Sequence, residues 1–304
     1  MPGERRVRTG RVNAFAKINL TLRILGRRDD GYHEVRTRLQ SLALHDSLTF
    51  AVHDGPFQIT CDDPECPVDA TNLVWRAAER LWRASGRRSM VSGVSVRIAK
   101  RIPMQAGLGG GSSDAAAALR ALAKLWRLDL PPARMQRIAA ELGADVPFFL
   151  QGGTAIGIER GDVVRAQPDA QPSWVVLVLP SFGVHTIAAY RWWDADNRAA
   201  VLKGRRVGIR GGREMSRVSA EEVSNDLEGP VARRHPQIGR IVRGLKRAGA
   251  SHAAMSGSGS AVFGLFQTRA GAVAAAAVMS GRSCRTLVTR TIDRASYRRG
   301  TRFS

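Results

Sequence analysis

A glycine-rich stretch lies directly before an alanine-rich one in residues 103–119, which read PMQAGLGGGSSDAAAAL. Glycine loses more conformational freedom on folding than any other residue, so a cluster of glycines needs a compensating role. Without side chains, backbone N–H groups can converge on an anion. A helix that begins at the serines would add its free N–H groups and the positive end of its dipole. The stretch therefore indicates phosphate binding.

A simpler interpretation of this stretch is a helix cap, with Ser112, Ser113 or Asp114 as the N-cap residue after a flexible loop. A cap needs one such residue and does not account for the four glycines Gly107, Gly109, Gly110 and Gly111. The stretch is not GxxxxGK[ST], because no lysine follows the glycines, and it is not GxGxxG. Positive charge for a phosphate must therefore come from elsewhere in the fold.

Two charged residues are candidates for proton transfer. Asp145 follows Gly143 by two residues, and it is either the N-cap of a short turn or a general base that orients a hydroxyl group. Lys17 shares one face of a predicted strand with Asn19 and Thr21. A mid-strand lysine normally faces solvent, but this polar stripe could also line a cleft. The residues alone leave both pairs of alternatives open.

Two turns carry further polar groups. His33 follows Tyr32 after an Asp-Gly turn signal, where a surface turn is the ordinary interpretation. The segment SGSGS at 256–260 is either a tight turn or a second backbone segment that contacts an anion. Disulfides and a zinc site are both disfavoured, because the three cysteines are odd in number and no CxxC occurs; they are Cys61, Cys66 and Cys284.

The hydropathy pattern predicts the elements that position these residues. Residues 12–25 alternate polar and apolar side chains, which is typical of a strand with one apolar face. Further strands are expected at 39–44, 47–52, 94–98 and 174–180. Helices are expected at 73–84, 112–125, 132–142, 236–248 and 270–280. This order is neither a strict β-α-β alternation nor all-β, so the predicted class is α+β.

Composition limits the functional classes. The chain has 304 residues, of which 44% are hydrophobic and 24% charged, as in a folded globular protein. Its net charge of +21 comes from 42 arginines and 5 lysines, which could attract nucleic acid or an anionic small molecule. We favour charges spread over solvated faces, because basic runs are short and aromatic residues sparse. No apolar run is long enough to span a bilayer and the basic start has no apolar core, so we expect a cytoplasmic protein.

Several motifs together resemble the GHMP kinase superfamily. PMQAGLGGGSSDAA is similar to its ATP-phosphate motif, and SHAAMSGSGSAVFGLF is similar to its C-terminal glycine motif. AFAKINLTLRILGRRDDGYHEVRT, ELGADVPFF and EVSNDLE resemble one branch, the 4-diphosphocytidyl-2-C-methyl-D-erythritol kinases. A homoserine or mevalonate kinase would lack the DGYHEV turn. The resemblance runs from about residue 12 to residue 293, and only the Arg-rich segment 203–217 matches nothing in the pattern.

The resemblance implies a fold and a reaction. The fold would be two α+β domains, residues 1–158 and 159–304, with the active site in the cleft between them. ATP would phosphorylate the 2-hydroxyl group of 4-diphosphocytidyl-2-C-methyl-D-erythritol, in the non-mevalonate pathway to isoprenoid precursors. Both substrates are small molecules, Mg²⁺ is expected with ATP, and no nucleic acid or membrane is implied as a partner.

The resemblance also assigns roles to residues. Lys17 and Asp145 would be the catalytic pair. The residues that contact the cytidylyl substrate would be Asn19, Tyr32, His33 and Tyr190. The ATP phosphates would be held by Pro103, Met104, Gln105, Ala106, Gly107, Leu108, Gly109, Gly110, Gly111, Ser112 and Ser113. No protein ligand for Mg²⁺ is assigned.

Overall fold

Two β-sheets form the framework of this computed structural model, which describes residues 9–202, 223–281 and 283–304. The described part of the first sheet contains the strands β1 (Thr9–Arg27), β2 (His33–Pro56), β3 (Gln58–Cys61), β4 (Ser92–Ala99), β5 (Thr154–Ile158), β6 (Val163–Ala166) and β8 (Ser224–Asn225). Their order is β3-β4-β2-β1-β8, with β5 paired to β2 and β6 to β5. The second sheet, in the order β11-β7-β10-β9, contains β7 (Trp174–Pro180), β9 (His252–Met255), β10 (Val262–Phe266) and β11 (Cys284–Arg290).

The helices cover one face of each sheet. The first sheet is covered by α1 (Leu73–Ala84), α2 (Gly110–Leu125), α3 (Pro132–Leu142) and the short α4 (Val146–Phe149). The second sheet packs against α6 (Glu228–Arg234), α7 (Pro236–Arg247) and α8 (Arg269–Met279), with α5 (Thr186–Leu202) beside them. The last helix is α9 (Arg294–Gly300). No helix in these described residues is both long and apolar enough to cross a membrane.

Strand β1 connects the two halves through its apolar face. Ile18 and Leu20 are buried in a core with Leu177 of β7 and Phe263 of β10. The opposite face carries Lys17 and its polar neighbours, which are also buried. The alternation therefore predicts the apolar face correctly. It does not reveal that the polar face is enclosed as well, because that enclosure comes from elements distant in the sequence.

Most predicted elements are present. The bounds of α1, α3 and β7 agree with prediction, and Asn72 caps α1 by accepting a hydrogen bond from the N–H of Val74. The strands predicted at 39–44 and 47–52 are parts of the single long strand β2. Helix α2 begins at Gly110, two residues before the predicted start at Ser112, because the left-handed Gly109 is its N-cap. The α+β class is confirmed, whereas the segment 203–217 lies outside the described residues.

Connections cross the predicted domain boundary between residues 158 and 159. Strand β6, after that boundary, pairs with β5, and strand β8 pairs with β1 in parallel. At the end of the chain, the buried Tyr297 of α9 donates a hydrogen bond to the carbonyl oxygen of Phe149. The first sheet is thus completed by residues from late in the chain.

Candidate active site

A cleft of about 980 Å³ lies between the two halves. Its walls come from β1, the start of β2, the glycine loop at 103–111, the connection from α3 to α4, the start of α5 and the turn after β9. The predicted site residues that line it are Lys17, Asn19, Tyr32, His33, Gln105, Gly107, Ser112, Asp145 and Tyr190. Residues spread over much of the sequence thus meet in one cavity.

Lys17 and Asp145 form an ion pair in the wall of this cleft. The Nζ of Lys17 lies 3.3 Å from Oδ2 of Asp145, and the lysine side chain is 3% exposed against 37% for the aspartate. Lys17 Nζ also donates to Oδ1 of Asn19 at 2.7 Å and to the carbonyl oxygen of Gly107 at 3.0 Å. These acceptors hold the ammonium group beside the carboxylate and the glycine loop.

Asp145 occupies the position before α4, but its side chain makes no capping hydrogen bond to that helix. The carboxylate instead faces the cleft, where it meets Lys17. This placement favours the chemical interpretation of Asp145 over the capping one. It supports the prediction that the two residues act as a pair.

Asn19 is held rigidly beside Lys17. Its Oδ1 accepts the hydrogen bond from Lys17, and its Nδ2 donates to Oγ1 of Thr37 at 2.7 Å. One N–H of the amide is not used by these two bonds. Asn19 therefore orients the lysine, and it also lines the cleft.

The glycine loop needs its first glycines for backbone conformation and close packing. Gly107 and Gly109 have φ values of 75° and 73°, in the left-handed region that favours glycine. A Cβ at Gly107 would clash with the carbonyl oxygen of Ser256, and one at Gly109 would lie 2.8 Å from the ring of Phe149. Within the loop, Ala106 and Leu108 are buried in the shared core.

The start of α2 resolves the capping alternative. Its N-cap is Gly109, which has no side chain to bond the free N–H groups, so neither Ser112, Ser113 nor Asp114 is the cap. Ser112 lines the cleft, whereas Ser113 is buried. The N–H groups of the first turn are thus left for another acceptor, and an anion suits that position.

Alanine substitutions should separate the roles of two loop glycines. Gly109→Ala should lower the free energy of unfolding by more than ~1 kcal/mol, because alanine is strained at positive φ and its Cβ meets Phe149. Gly111→Ala is the matched control, since its Cβ would find Leu73 at a comfortable 3.8 Å. Urea unfolding measures both variants. An equal loss in the two would contradict this assignment.

The second glycine segment packs directly on the first. Ser256 Oγ donates to the carbonyl oxygen of Gly107 at 2.9 Å, and the N–H of Ala261 donates to that of Ala106 at 3.2 Å. Gly257, Ser258 and Gly259 line the cleft. The segment 256–260 is therefore part of the site, beside the glycine loop.

A buried charge cluster of Lys100, Asp46 and Asp114 supports the glycine loop, and it was not predicted from the sequence. Lys100 Nζ donates to Oδ2 of Asp46 at 2.5 Å and to Oδ2 of Asp114 at 2.9 Å. Asp46 Oδ1 accepts from the N–H groups of Arg101 and Ile102, which lead into the loop. Burial, with a contribution from Asp46, raises the pKa of Asp114 to about 7. Asp114 lies in the glycine motif and Lys100 shortly before it, but Asp46 lies 54 residues from Lys100.

Aromatic residues surround His33 at one end of the cleft. The His33 ring stacks on Tyr190, with ring centroids 4.7 Å apart and an interplanar angle of 25°. Burial raises the pKa of Tyr190 above its ordinary range, and Asp145 adds to the effect. Tyr32 is 58% exposed, and Arg160 lies over its ring at 5.3 Å. His33 thus meets the predicted C-terminal aromatic residue Tyr190, whereas Tyr32 lines the cleft beside Arg160.

Four arginines add positive charge to the cleft. The cleft is lined by Arg27, Arg76, Arg160 and Arg191. Each comes from a different part of the chain, so their convergence on one cleft is not visible in any single motif. Arginine is well suited to phosphate because its planar group donates two parallel hydrogen bonds. A cleft with these four residues can therefore accommodate polyanionic ligands.

Comparison with known proteins decides the family. The family model for the GHMP kinases N terminal domain matches residues 72–153, and that for the GHMP kinases C terminal matches residues 210–283. The 4-diphosphocytidyl-2-C-methyl-D-erythritol kinase of Moorella thermoacetica is 40% identical over an alignment of 292 residues, and the match covers 92% of this chain and 98% of the relative. The chain belongs to this kinase family. The predicted ATP-dependent kinase of the GHMP superfamily is confirmed.

Other relatives agree with this membership. The enzyme of the same name from Pelotomaculum thermopropionicum is 41% identical over 291 residues, covering 92% of this chain and 97% of its own. A crystal structure of 4-(cytidine 5'-diphospho)-2C-methyl-D-erythritol kinase superposes with a TM-score of 0.74 at 31% identity, over 92% of this chain and 98% of that one. A homoserine kinase from Cytophaga hutchinsonii, at 18% identity and a TM-score of 0.65, covers 93% of this chain and 95% of its own and shares the fold.

Proposed function

We propose that the chain transfers the γ-phosphoryl group of ATP to the 2-hydroxyl group of 4-diphosphocytidyl-2-C-methyl-D-erythritol. The family membership supports this reaction and its place in isoprenoid precursor synthesis. The observation that carries the proposal is the Lys17–Asp145 pair, which lies in one cleft with the glycine loop and the turn at His33.

The site fits phosphoryl transfer, which depends on positioning and charge stabilisation more than on covalent catalysis. Asp145 accepts the proton of the attacking hydroxyl group as the new O–P bond forms and the bond from the γ-phosphorus to ADP breaks. Lys17 lies against Asp145 and stabilises the negative charge that develops on the hydroxyl oxygen. The N–H groups at the start of α2 and in the glycine loop hold the phosphates.

Mg²⁺ fits the donor set of the cleft. Among the described residues, no group of three or more His, Cys, Asp or Glu could hold a metal ion. Mg²⁺ with ATP does not need such a cage, because it is normally held by one or two carboxylates, waters and the phosphates themselves. The oxygen donors that line the cleft include the Ser112 hydroxyl and the Asp145 carboxylate, and these two could hold the ion beside the phosphates. The ion would neutralise phosphate charge.

We assign the cytosine of the substrate to the end of the cleft that holds Tyr32, His33 and Tyr190. Their rings offer stacking surfaces worth roughly 0.5–1.5 kcal/mol for each aromatic pair. Arg27, Arg160 and Arg191 line the same cavity and suit the diphosphate. The hydroxyl end of the substrate would then lie toward Asp145.

Turnover measurements with three acceptors test the proposed function. With Mg²⁺ and ATP, the purified chain should release ADP rapidly with 4-diphosphocytidyl-2-C-methyl-D-erythritol. Mevalonate and homoserine should be poor phosphoryl acceptors, because neither carries a nucleobase that could bind among the aromatic residues of the cleft. Equal or faster ADP release with mevalonate or homoserine would refute the substrate assignment and leave the kinase assignment intact.

Further expectations about the whole protein accompany this function. We propose two domains that divide near residues 158 and 159, a cytoplasmic location, and no nucleic-acid partner despite the charge of +21. A nucleic-acid-binding protein would show steeply salt-dependent binding and no need for Asp145.

A further inference from the structure

His33 is enclosed by one face of a helix from the other half of the molecule. Tyr190, Trp193 and Asp194 lie three and four residues apart on α5, so they share a helix face. Tyr190 stacks on the His33 ring, and Trp193 meets its edge at 5.7 Å with an interplanar angle of 87°. Asp194 Oδ1 lies 2.9 Å from His33 Nε2.

The hydrogen bond with Asp194 fixes the proton on one ring nitrogen. A carboxylate only accepts hydrogen bonds, so Nε2 of His33 is the donor. In the neutral imidazole, Nδ1 is then an acceptor. The His33 side chain is 9% exposed and that of Asp194 is 20% exposed, so water competes little for this bond.

Cytosine and uracil differ in what they offer to such an acceptor. Cytosine carries an amino group at C4, which donates hydrogen bonds, whereas uracil carries a carbonyl oxygen there, which accepts them. A ring nitrogen held as an acceptor can accept a hydrogen bond from the amino group of cytosine. It repels the carbonyl oxygen of uracil, because two acceptors cannot form a hydrogen bond with each other. A ring that is free to flip or to move its proton can adapt to either base.

We propose that Asp194 is a positioning residue that acts through His33 to make the kinase select a cytosine base over a uracil base. This inference rests on the proposed function, in which His33 contacts the base of the substrate. Asp194 itself does not need to touch the substrate. Its contribution is the orientation and the proton placement of the His33 ring.

A neighbouring residue on the same helix provides a matched control. Asp196 also forms ion pairs from α5, but its partners are Arg233 and Arg234 on α6, within the same half of the molecule. Asp196→Ala therefore removes a carboxylate and its ion pairs from α5 without changing the environment of His33. It measures what general weakening of this helix does to activity.

The test compares a cytidylyl substrate with its uridylyl analogue. Asp194→Ala should reduce the ratio of their kcat/KM values at least ~10-fold, equivalent to about 1.4 kcal/mol. The KM for ATP should not change. Asp194→Asn should restore most of the preference, because its amide oxygen can still accept the proton from Nε2. Asp196→Ala should leave the ratio at the wild-type value, and circular dichroism checks the fold of each variant.

A double mutant tests whether Asp194 acts through His33. In the His33→Ala background, adding Asp194→Ala should cause no further loss of preference, since residues that act through one another are not additive. An unchanged preference in Asp194→Ala, or a further loss in the double mutant, would overturn the inference. The activity of the wild type tests the proposed function. A wild type that does not phosphorylate the cytidylyl substrate would refute the proposed function and, with it, this inference.

Discussion

Replacing Asp145 with asparagine should lower kcat by ~10²–10⁴-fold, the usual effect of losing a positioned general base. Asparagine keeps the shape of the side chain and a group near Lys17, but it cannot accept the hydroxyl proton. The carboxylate lies 3.3 Å from the Lys17 ammonium and makes no capping bond to α4, so the fold should survive the change. Turnover at saturating concentrations of both substrates, with circular dichroism for folding, measures the effect.

A second aspartate provides the control for this variant. Asp293 is a true N-cap, since its Oδ1 accepts a hydrogen bond from the N–H of Ser296 at the start of α9. Asparagine caps helices about as well as aspartate, so Asp293→Asn should keep both kcat and stability. If Asp145→Asn behaves in the same way and retains near-normal turnover, its catalytic role is refuted.

Replacing Lys17 with methionine should reduce kcat to a similar degree. The ammonium group is buried and contacts Asp145, Asn19 and Gly107, so its loss removes the charge that, in the proposed mechanism, stabilises the reacting oxygen. Methionine fills most of the same space in the buried strand. The exposed Lys246 of α7 is the control, and Lys246→Met should keep normal turnover.

The double variant tests whether the two residues act as one unit. Lys17→Met combined with Asp145→Asn should be little worse than either single change, because residues that work as one unit have strongly non-additive effects. The measurement is again kcat at saturating substrates. Losses that multiply would show that Lys17 and Asp145 contribute independently, which their contact in the cleft does not support.

The elements were predictable where local chemistry determines them. Pro132 begins α3 and Gly143 follows its end, and the structure has these limits. The alternation along β1 correctly separates Ile18 and Leu20 from Lys17 and Asn19. The start of α2 was misplaced because the serines suggested a cap, whereas a left-handed glycine begins the helix.

The partners across the cleft were not predictable from pattern alone. Hydropathy periodicity tells which side chains share a face, but not what that face meets. His33 and Asp194 are 161 residues apart, and Ser256 and Gly107 are 149 apart. Each pair is joined by the packing of the two halves. The resemblance to a family predicted that Lys17 and Asp145 form a pair, whereas Asp194 is part of no motif that predicts its contact with His33.

The late residues that complete the first sheet have a consequence for the order of folding during synthesis. A ribosome releases β1 and β2 early, but the parallel partner of β1 at Ser224–Asn225 emerges much later. Ser304 then exchanges backbone hydrogen bonds with Arg11, and Tyr297 packs against Phe15. Until these residues are synthesised, the edge of β1 in the nascent chain has no pairing partner. An unpaired edge strand of this kind can pair with other chains. Slow translation of the second half would lengthen that exposure.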